Sequence, residues 1–416
     1  MKQKGVIIGG GAAGFFAAIT CAELATNTEI SILEKGNDVL QKVKISGGGR
    51  CNVTHACFDP KELVEFYPRG QKELLGPFHQ FMTGDTMQWF EDRGVPLKIE
   101  ADNRVFPQSN TSQTIVDCLV TRASNAGVQV KLSHRVENIQ KEDKQWKIST
   151  NKGDFLADKL LIASGSNTKI WNLIAKLGHK INPPVPSLFT FKINDKRIAE
   201  IPGVSVPNAT ILLVDSKFES SGPLLITHWG ISGPAVLKLS AFGALFLAEK
   251  NYQYNVQVNW LSKPLSTVLT KLKILKRENP KKQIALKSIF KDIPKRLWEN
   301  LVLTAEIKKE QRWADTSNKQ LENLAKQLTK TIFNANGKTT FKEEFVTAGG
   351  IDLKEINFKR FESKLHNNLF FAGEVLNIDA ITGGFNFQNA WTGGFIAGKS
   401  MSSPQPLSKG KGLKLS

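Results

Sequence analysis

Val6–Ile7–Ile8–Gly9–Gly10–Gly11–Ala12–Ala13–Gly14, near the start of the chain, decides its fold. The apolar run at residues 5–8 reads as a fully buried parallel strand, and residues 12–25 read as the helix that follows it. Between them Gly9, Gly11 and Gly14 stand at the G-x-G-x-x-G spacing. In such a turn the first glycine permits the tight bend, the second lets backbone approach a pyrophosphate, and the third lets helix and strand pack closely. The helix N-terminus adds unpaired N–H groups and a positive dipole end, both favourable to phosphate. A second buried strand, residues 29–33, ends at Glu34, about 20 residues past Gly14, where a carboxylate meets a ribose hydroxyl. A glycine fingerprint alone is weak; with strand, helix and acid in place it is strong. Lys2 and Lys4 ahead of an apolar stretch imitate an export signal, but three consecutive glycines break that stretch and Glu23 follows, so none is expected.

Glu34 would serve NAD or FAD alike, so the distinction rests on the far end of the chain. Leu369–Phe370–Phe371–Ala372–Gly373–Glu374–Val375 reads as a strand feeding a Gly–acid pair, which resembles the second signature of FAD-binding proteins. Gly383–Gly384–Phe385–Asn386 then reads as a glycine turn opening a helix to residue 397, whose dipole would face the pyrimidine end of a flavin. A third strand, residues 159–163, ends in Ser164–Gly165–Ser166, a turn able to pass close to the nucleotide. A plain NAD-dependent dehydrogenase has no need of this late return. The expectation is one FAD site in a discontinuous α/β, Rossmann-type domain. Its candidate cofactor contacts are Gly9, Gly11, Ala12, Ala13, Gly14, Glu34, Lys35, Lys42, Ser46, Gly47, Gly48, Arg50, Cys51, Asn52, Val136, Ala163, Ser164, Gly165, Gly373, Glu374, Asp379, Gly384, Phe385, Asn386 and Gln388.

Ser46–Gly47–Gly48–Gly49–Arg50–Cys51–Asn52 reads as a loop whose successive N–H groups form an anion nest, with Arg50 adding fixed charge. Cys51 and His228 are the candidate catalytic residues. Cys51 reads either as a thiol donating a proton to a reduced double bond or as a small side chain filling space beside the flavin. His228 reads either as a group on the substrate side or as one bonded to backbone. Trp229 and Trp391 suit a pocket wall, with core packing as the default for both.

Over nearly its whole length the chain resembles the BaiN-like, aminoacetone-oxidase-like family of FAD-dependent oxidoreductases. The likeness rests on Gly9–Gly14, on the glycine loop at residues 46–52 and on Arg104–Val105–Phe106–Pro107. It rests also on Thr227–His228–Trp229–Gly230–Ile231–Ser232–Gly233–Pro234–Ala235–Val236–Leu237, and on Gly373–Glu374–Val375 through Gln388. Where that family has Ala-Thr-Gly-Gly, this chain has Ala163–Ser164–Gly165–Ser166. The resemblance implies an inserted β-barrel, a helical subdomain and substrate classes that include steroid enones and uridine in large-subunit ribosomal RNA. Both substrates fit one scheme, hydride transfer from flavin N5 to a C=C bond conjugated to a carbonyl. Amine oxidation with oxygen is implied as an alternative. A flavin-bound RNA- or ribosome-binding protein without turnover is another. A single glycine fingerprint leaves no second nicotinamide domain, so either NAD(P)H docks transiently at the flavin or electrons pass to oxygen.

The chain has 416 residues, 41% of them hydrophobic, and a mean hydropathy of −0.22, values of a globular protein with two or three cores. No apolar run of roughly 18 residues occurs, so no membrane span is expected. Four cysteines, Cys21, Cys51, Cys57 and Cys118, form no disulfide framework, which fits the cytoplasm. Six scattered histidines make no metal motif, and no metal is expected.

Residues 1–185 carry the first part of the FAD-binding domain and 345–400 the second. Between them are expected a β-rich domain at 186–262, a basic helical subdomain at 263–330 and a return through the inserted domain at 331–344. Residues 401–416 read as a flexible basic tail. Net charge is +18, and it is uneven: residues 260–330 hold about 17 Lys or Arg against about 7 Asp or Glu. A field of that sign attracts polyanions, and ribosomal RNA is the partner it suggests; a Lys-rich solvated surface and a small-molecule substrate form the other reading. Oligomeric state is not legible.

Overall fold

The computed structural model describes residues 2–25, 27–339 and 346–403. Two compact units share them, divided at Pro184 and Val185 on the way out and at Ala348 and Gly349 on the return.

The first unit is built on a seven-stranded sheet. The opening strand, Gln3–Ile8, lies inside it and pairs in parallel with Thr28–Leu33 on one side and Lys159–Ile162 on the other. Gln129–Lys131 extends the sheet beyond Thr28–Leu33. Leu369–Phe371 extends it in parallel beyond Lys159–Ile162, followed by Glu362–Ser363 and Ile356–Asn357 as antiparallel edge strands. Strand order therefore reverses between Gln3–Ile8 and Lys159–Ile162, and the crevice at the carboxyl ends of these two strands is where such sheets bind ligands.

Two helices cover this crevice from behind. Ala12–Leu24 is apolar all round, with residues 13 to 21 buried without interruption, the pattern of a core helix. The closing helix, Phe385–Ser402, packs directly upon it. A Cβ at Gly394 would lie 2.8 Å from the Ala13 carbonyl oxygen, and one at Gly398 would lie 2.5 Å from that of Ala17. The closing helix runs further than expected, through Ser402. Buried Lys159 fixes its end by donating from Nζ to the carbonyls of Met401 and Ser403, at 2.6 and 2.7 Å. The expected tail at 401–416 is thus helical at its start, and residues 404–416 lie outside the described residues.

The second unit centres on a closed six-stranded barrel. Its order is Thr190–Ile193, Gly230–Ser232, Glu219–Thr227, Ser205–Leu213, Gln253–Asn259 and Thr331–Thr339, the last closing on the first. The expected β-rich domain at 186–262 and helical subdomain at 263–330 share one core. Helices Leu265–Glu278, Lys295–Thr304 and Asn318–Thr329 bury Leu272, Leu301 and Leu324 in the same core as barrel residues Val206, Ile211 and Phe333. Trp260 ties the two parts, its N–H donating to the Leu328 carbonyl and its indole Nε1 to Thr331 Oγ1, each at 3.0 Å. The β-rich stretch is also interrupted by helices Pro234–Phe242 and Ala244–Glu249. Gly233 and Pro234 make a strong helix start, since proline at the first helical position is pre-set for it. The expected return at 331–344 is the last barrel strand as far as Thr339; residues 340–345 lie outside the described residues.

Candidate cofactor site

The carboxyl end of the opening strand bends at Gly9, whose φ of +116° is open to glycine alone in practice. A Cβ there would meet the Ala163 carbonyl oxygen at 2.4 Å, so the turns after the two central strands touch. Gly14 sits as tightly, its Cβ position 2.0 Å from the Gly9 carbonyl oxygen, whereas the Cβ position of Gly11 has no neighbour within 4 Å. One glycine packs, and the other leaves backbone open to a ligand. Glu34 is locked beside this turn: its carboxylate accepts from the N–H groups of Gly10 and Gly36, both at 2.8 Å. One lone pair on each oxygen remains for a ribose hydroxyl. Lys35 is exposed next to it. Val136 is buried just beyond His134, whose N–H donates to the Glu34 carbonyl at 2.8 Å.

The far end of the chain arrives at the same place. A Cβ at Gly373 would lie 3.1 Å from that of Ala13, and one at Gly165 would lie 3.6 Å from a Glu374 carboxylate oxygen. Glu374 is ion-paired with Lys42 ahead of the glycine loop. The turn into the closing helix presses on the strand that leaves that loop: Gly384 has φ +94°, and a Cβ on it would stand 2.6 Å from the Thr54 carbonyl. Within this turn Asn386 bonds both the N–H and the carbonyl of Ala380 at 3.0 Å, and Tyr67 donates to the Phe385 carbonyl at 2.6 Å. Asp379 is fully buried in an ion pair with Arg69, so it holds the loop before the helix.

The glycine loop is partly tied to itself. The N–H groups of Arg50 and Cys51, expected to cradle an anion, both donate to the Ser46 carbonyl. The Arg50 guanidinium bonds Glu100 at 2.7 Å and lies 4.0 Å from the centre of the Phe106 ring. Two N–H groups of the loop and the Arg50 charge thus have partners within the protein, and the exposed backbone of Gly47, Gly48 and Gly49 is its approachable part. Of the two readings of Cys51, the packing suits the space-filling one. Its side chain lies in the core with no exposure, and burial pushes its thiol up to about 12, against a smaller opposing effect of a hydrogen bond with Ser46. Burial of this kind favours the protonated thiol. His228 and Trp229 form the two-residue turn between barrel strands Glu219–Thr227 and Gly230–Ser232, both exposed. Trp229 is 53% exposed against the expected core packing. Trp391 is core, its Nε1 donating to the Val53 carbonyl at 2.9 Å.

His55 went unremarked in the sequence. It stacks on Phe385 with ring centres 4.6 Å apart, lies 3.5 Å from the Cβ position of Gly383, and has a buried Nδ1 without a partner. Burial lowers its pKa, against the pull of Asp102. Its place three residues after Asn52 was the available signal.

Whether these residues fit a flavin dinucleotide is tested by their unsatisfied atoms. Asn52 Oδ1, Ser164 Oγ and His55 Nδ1 are buried without a hydrogen-bond partner, and all three sit on the segments that meet at the crevice. Buried polar groups are normally paired. Open space at Gly11, a fixed carboxylate at Glu34, orphaned acceptors and donors, and the N-termini of two helices are what a pyrophosphate and a polar ring edge would satisfy. The residues fit the group.

The family model described as the HI0933-like protein Rossmann domain matches residues 3–400. Among curated proteins, a ribosomal RNA dihydrouridine synthase of Haemophilus influenzae is 28% identical, over 96% of this chain and 98% of its own length. A 3-dehydro-bile acid delta(4,6)-reductase of Clostridium scindens is 27% identical, over 95% and 98%. Among solved structures, a 3-ketosteroid-delta4-(5alpha)-dehydrogenase of Rhodococcus jostii superposes with a TM-score of 0.50 at 12% identity, over 97% of each chain. That last likeness concerns the fold alone. Among the described residues no helix is long and apolar enough to cross a membrane.

Proposed function

The chain belongs to the HI0933-like family and is an FAD-dependent oxidoreductase, and from that premise we propose that it reduces the C5=C6 bond of uridine in ribosomal RNA. The observation that carries this reading is the likeness, over nearly full length, to a ribosomal RNA dihydrouridine synthase and to a bile acid reductase. Both names describe saturation of a C=C bond conjugated to a carbonyl, and the basic composition of residues 263–330 favours the RNA substrate of the two. Bound FAD would supply hydride from N5 after reduction by NAD(P)H. The Gly9–Gly14 turn and the helix behind it would hold the pyrophosphate, and Glu34 would hold the ribose. The N-terminus of Phe385–Ser402 favours negative charge at the ring's pyrimidine edge. His55, partly exposed beside that helix start, is our nominee for delivering the proton to the substrate carbon. A cytoplasmic enzyme suits this substrate.

The test is direct. Ribosomal RNA from a strain lacking the gene should lose dihydrouridine, and purified protein with FAD and NADPH should restore it. Unchanged dihydrouridine in the deletion strain would refute the RNA substrate; turnover of a 3-keto steroid enone in its place would support the second reading, to which the 27% identical reductase points.

A further inference from the structure

The helical part of the second unit carries cations that its carboxylates leave alone. Among the described residues of 263–330, one ion pair forms, Lys309 with Glu299 at 2.6 Å. The last turn of helix Leu265–Glu278 carries Lys276 and Arg277, and the chain then doubles back on itself. The Lys282 carbonyl accepts from the Trp313 N–H, and the Pro280 carbonyl accepts from the Ala314 N–H, both at 3.0 Å. Gln283 faces Arg312 across an antiparallel bridge. Lys276 Nζ closes the arrangement by donating to the Thr316 carbonyl at 2.5 Å. This clasp sets Lys281 and Lys282 beside Arg312, next to the helix end that carries Arg277. All four side chains are exposed.

Backbone bonds, then, and not acids, hold four like charges together. Such clustering raises the energy of the folded state by self-repulsion, and a polyanion relieves it. Two of the four are arginines, whose planar forks match phosphate oxygens. Lys271, Lys273, Lys287, Lys291, Lys295 and Arg296, exposed as well, extend the same charge along the chain. A field of that extent suits a polymer of phosphates better than the local acidic patch of a protein. We propose that Arg277, Lys281, Lys282 and Arg312 form the phosphate-docking surface for folded RNA, an inference that rests on ribosomal RNA being the substrate.

The experiment compares the full-length holoprotein with the variant R277Q/K281Q/K282Q/R312Q, and with the milder K281Q/K282Q should the first fail to fold. Binding to protein-free large-subunit ribosomal RNA is measured as a function of salt, alongside dihydrouridine formation and FAD content. Four lost phosphate contacts should make the slope of log K against log salt shallower by about three, and the double variant should show about half that change. RNA turnover should fall with FAD content unchanged. Equal slopes in variant and parent, with the parent active on RNA, would overturn the docking surface and leave the substrate reading intact. A parent that neither binds RNA nor reduces its uridine would overturn the reading beneath it. Equal affinity of the parent for polyglutamate, lost in the variant, would assign the surface to an acidic protein and overturn the proposal.

Discussion

Thr54 Oγ1 donates to Gln388 Oε1 across 2.6 Å in a fully buried contact. This bond joins the strand leaving the glycine loop to the first turn of the closing helix. Gln388 passes the chain on, its Nε2 donating to Thr392 Oγ1 at 3.0 Å, and Thr392 donates to the Phe81 carbonyl at 2.9 Å. Thr54→Val keeps the shape and strands the Gln388 oxygen, a loss of about 1–3 kcal/mol. A lower thermal midpoint together with weaker FAD binding is expected. If FAD affinity is unchanged while the midpoint falls, the bond stabilises the fold without shaping the site.

Gly384→Ala is expected to empty the site. The added Cβ meets the Thr54 carbonyl at 2.6 Å in a backbone conformation that side chains avoid. Backbone of that kind does not yield, so the helix start must move. Far-ultraviolet circular dichroism should stay close to the parent's while FAD content drops; full FAD retention would show that the helix start does not touch the cofactor.

Cys51→Ala should retain FAD and most turnover, because the side chain lies in the core with no exposure through which to reach a substrate. Alkylation of Cys51 by iodoacetamide at pH 8 should be negligible in the folded protein for the same reason. A turnover loss of ~100-fold or more with FAD intact would restore Cys51 as the proton donor.

His179 gives stability a pH dependence of definite sign. It is buried, with Nδ1 on Glu355 at 2.7 Å and Nε2 on Ser363 at 3.0 Å, and His366 and Phe371 pack against its ring. Burial lowers its pKa, outweighing the carboxylate of Glu355. Its contribution is therefore complete above the unfolded value of about 6.5 and fades as pH falls through the lower folded value. The thermal midpoint should drop between pH 7 and pH 5, and less so in His179→Gln. An equal drop in both proteins would place the dependence elsewhere.

Much of this was legible in the sequence because it is local. Glycine spacing, the apolar strands and the acid at Glu34 announce themselves within about 30 residues, and the closing helix shows its glycine turn. What escaped depends on contacts distant in sequence. The sequence does not show that Glu100 and Phe106 stand against Arg50, nor that the Ser46 carbonyl takes the N–H groups of Arg50 and Cys51. Helical periodicity at Leu321, Leu324 and Leu328 predicts a buried face but not that a barrel covers it, so one unit reads as two. His55 is not legible in the sequence because its surroundings, Phe385 and Gly383, lie more than three hundred residues away.

The central claim is that both ends of the chain close on one flavin. Equilibrium dialysis of the purified protein against FAD, read by absorbance between 350 and 500 nm, tests it most directly. The expected result is a yellow protein holding about one FAD per chain. A colourless protein that retains none, with its circular dichroism intact, would contradict the claim.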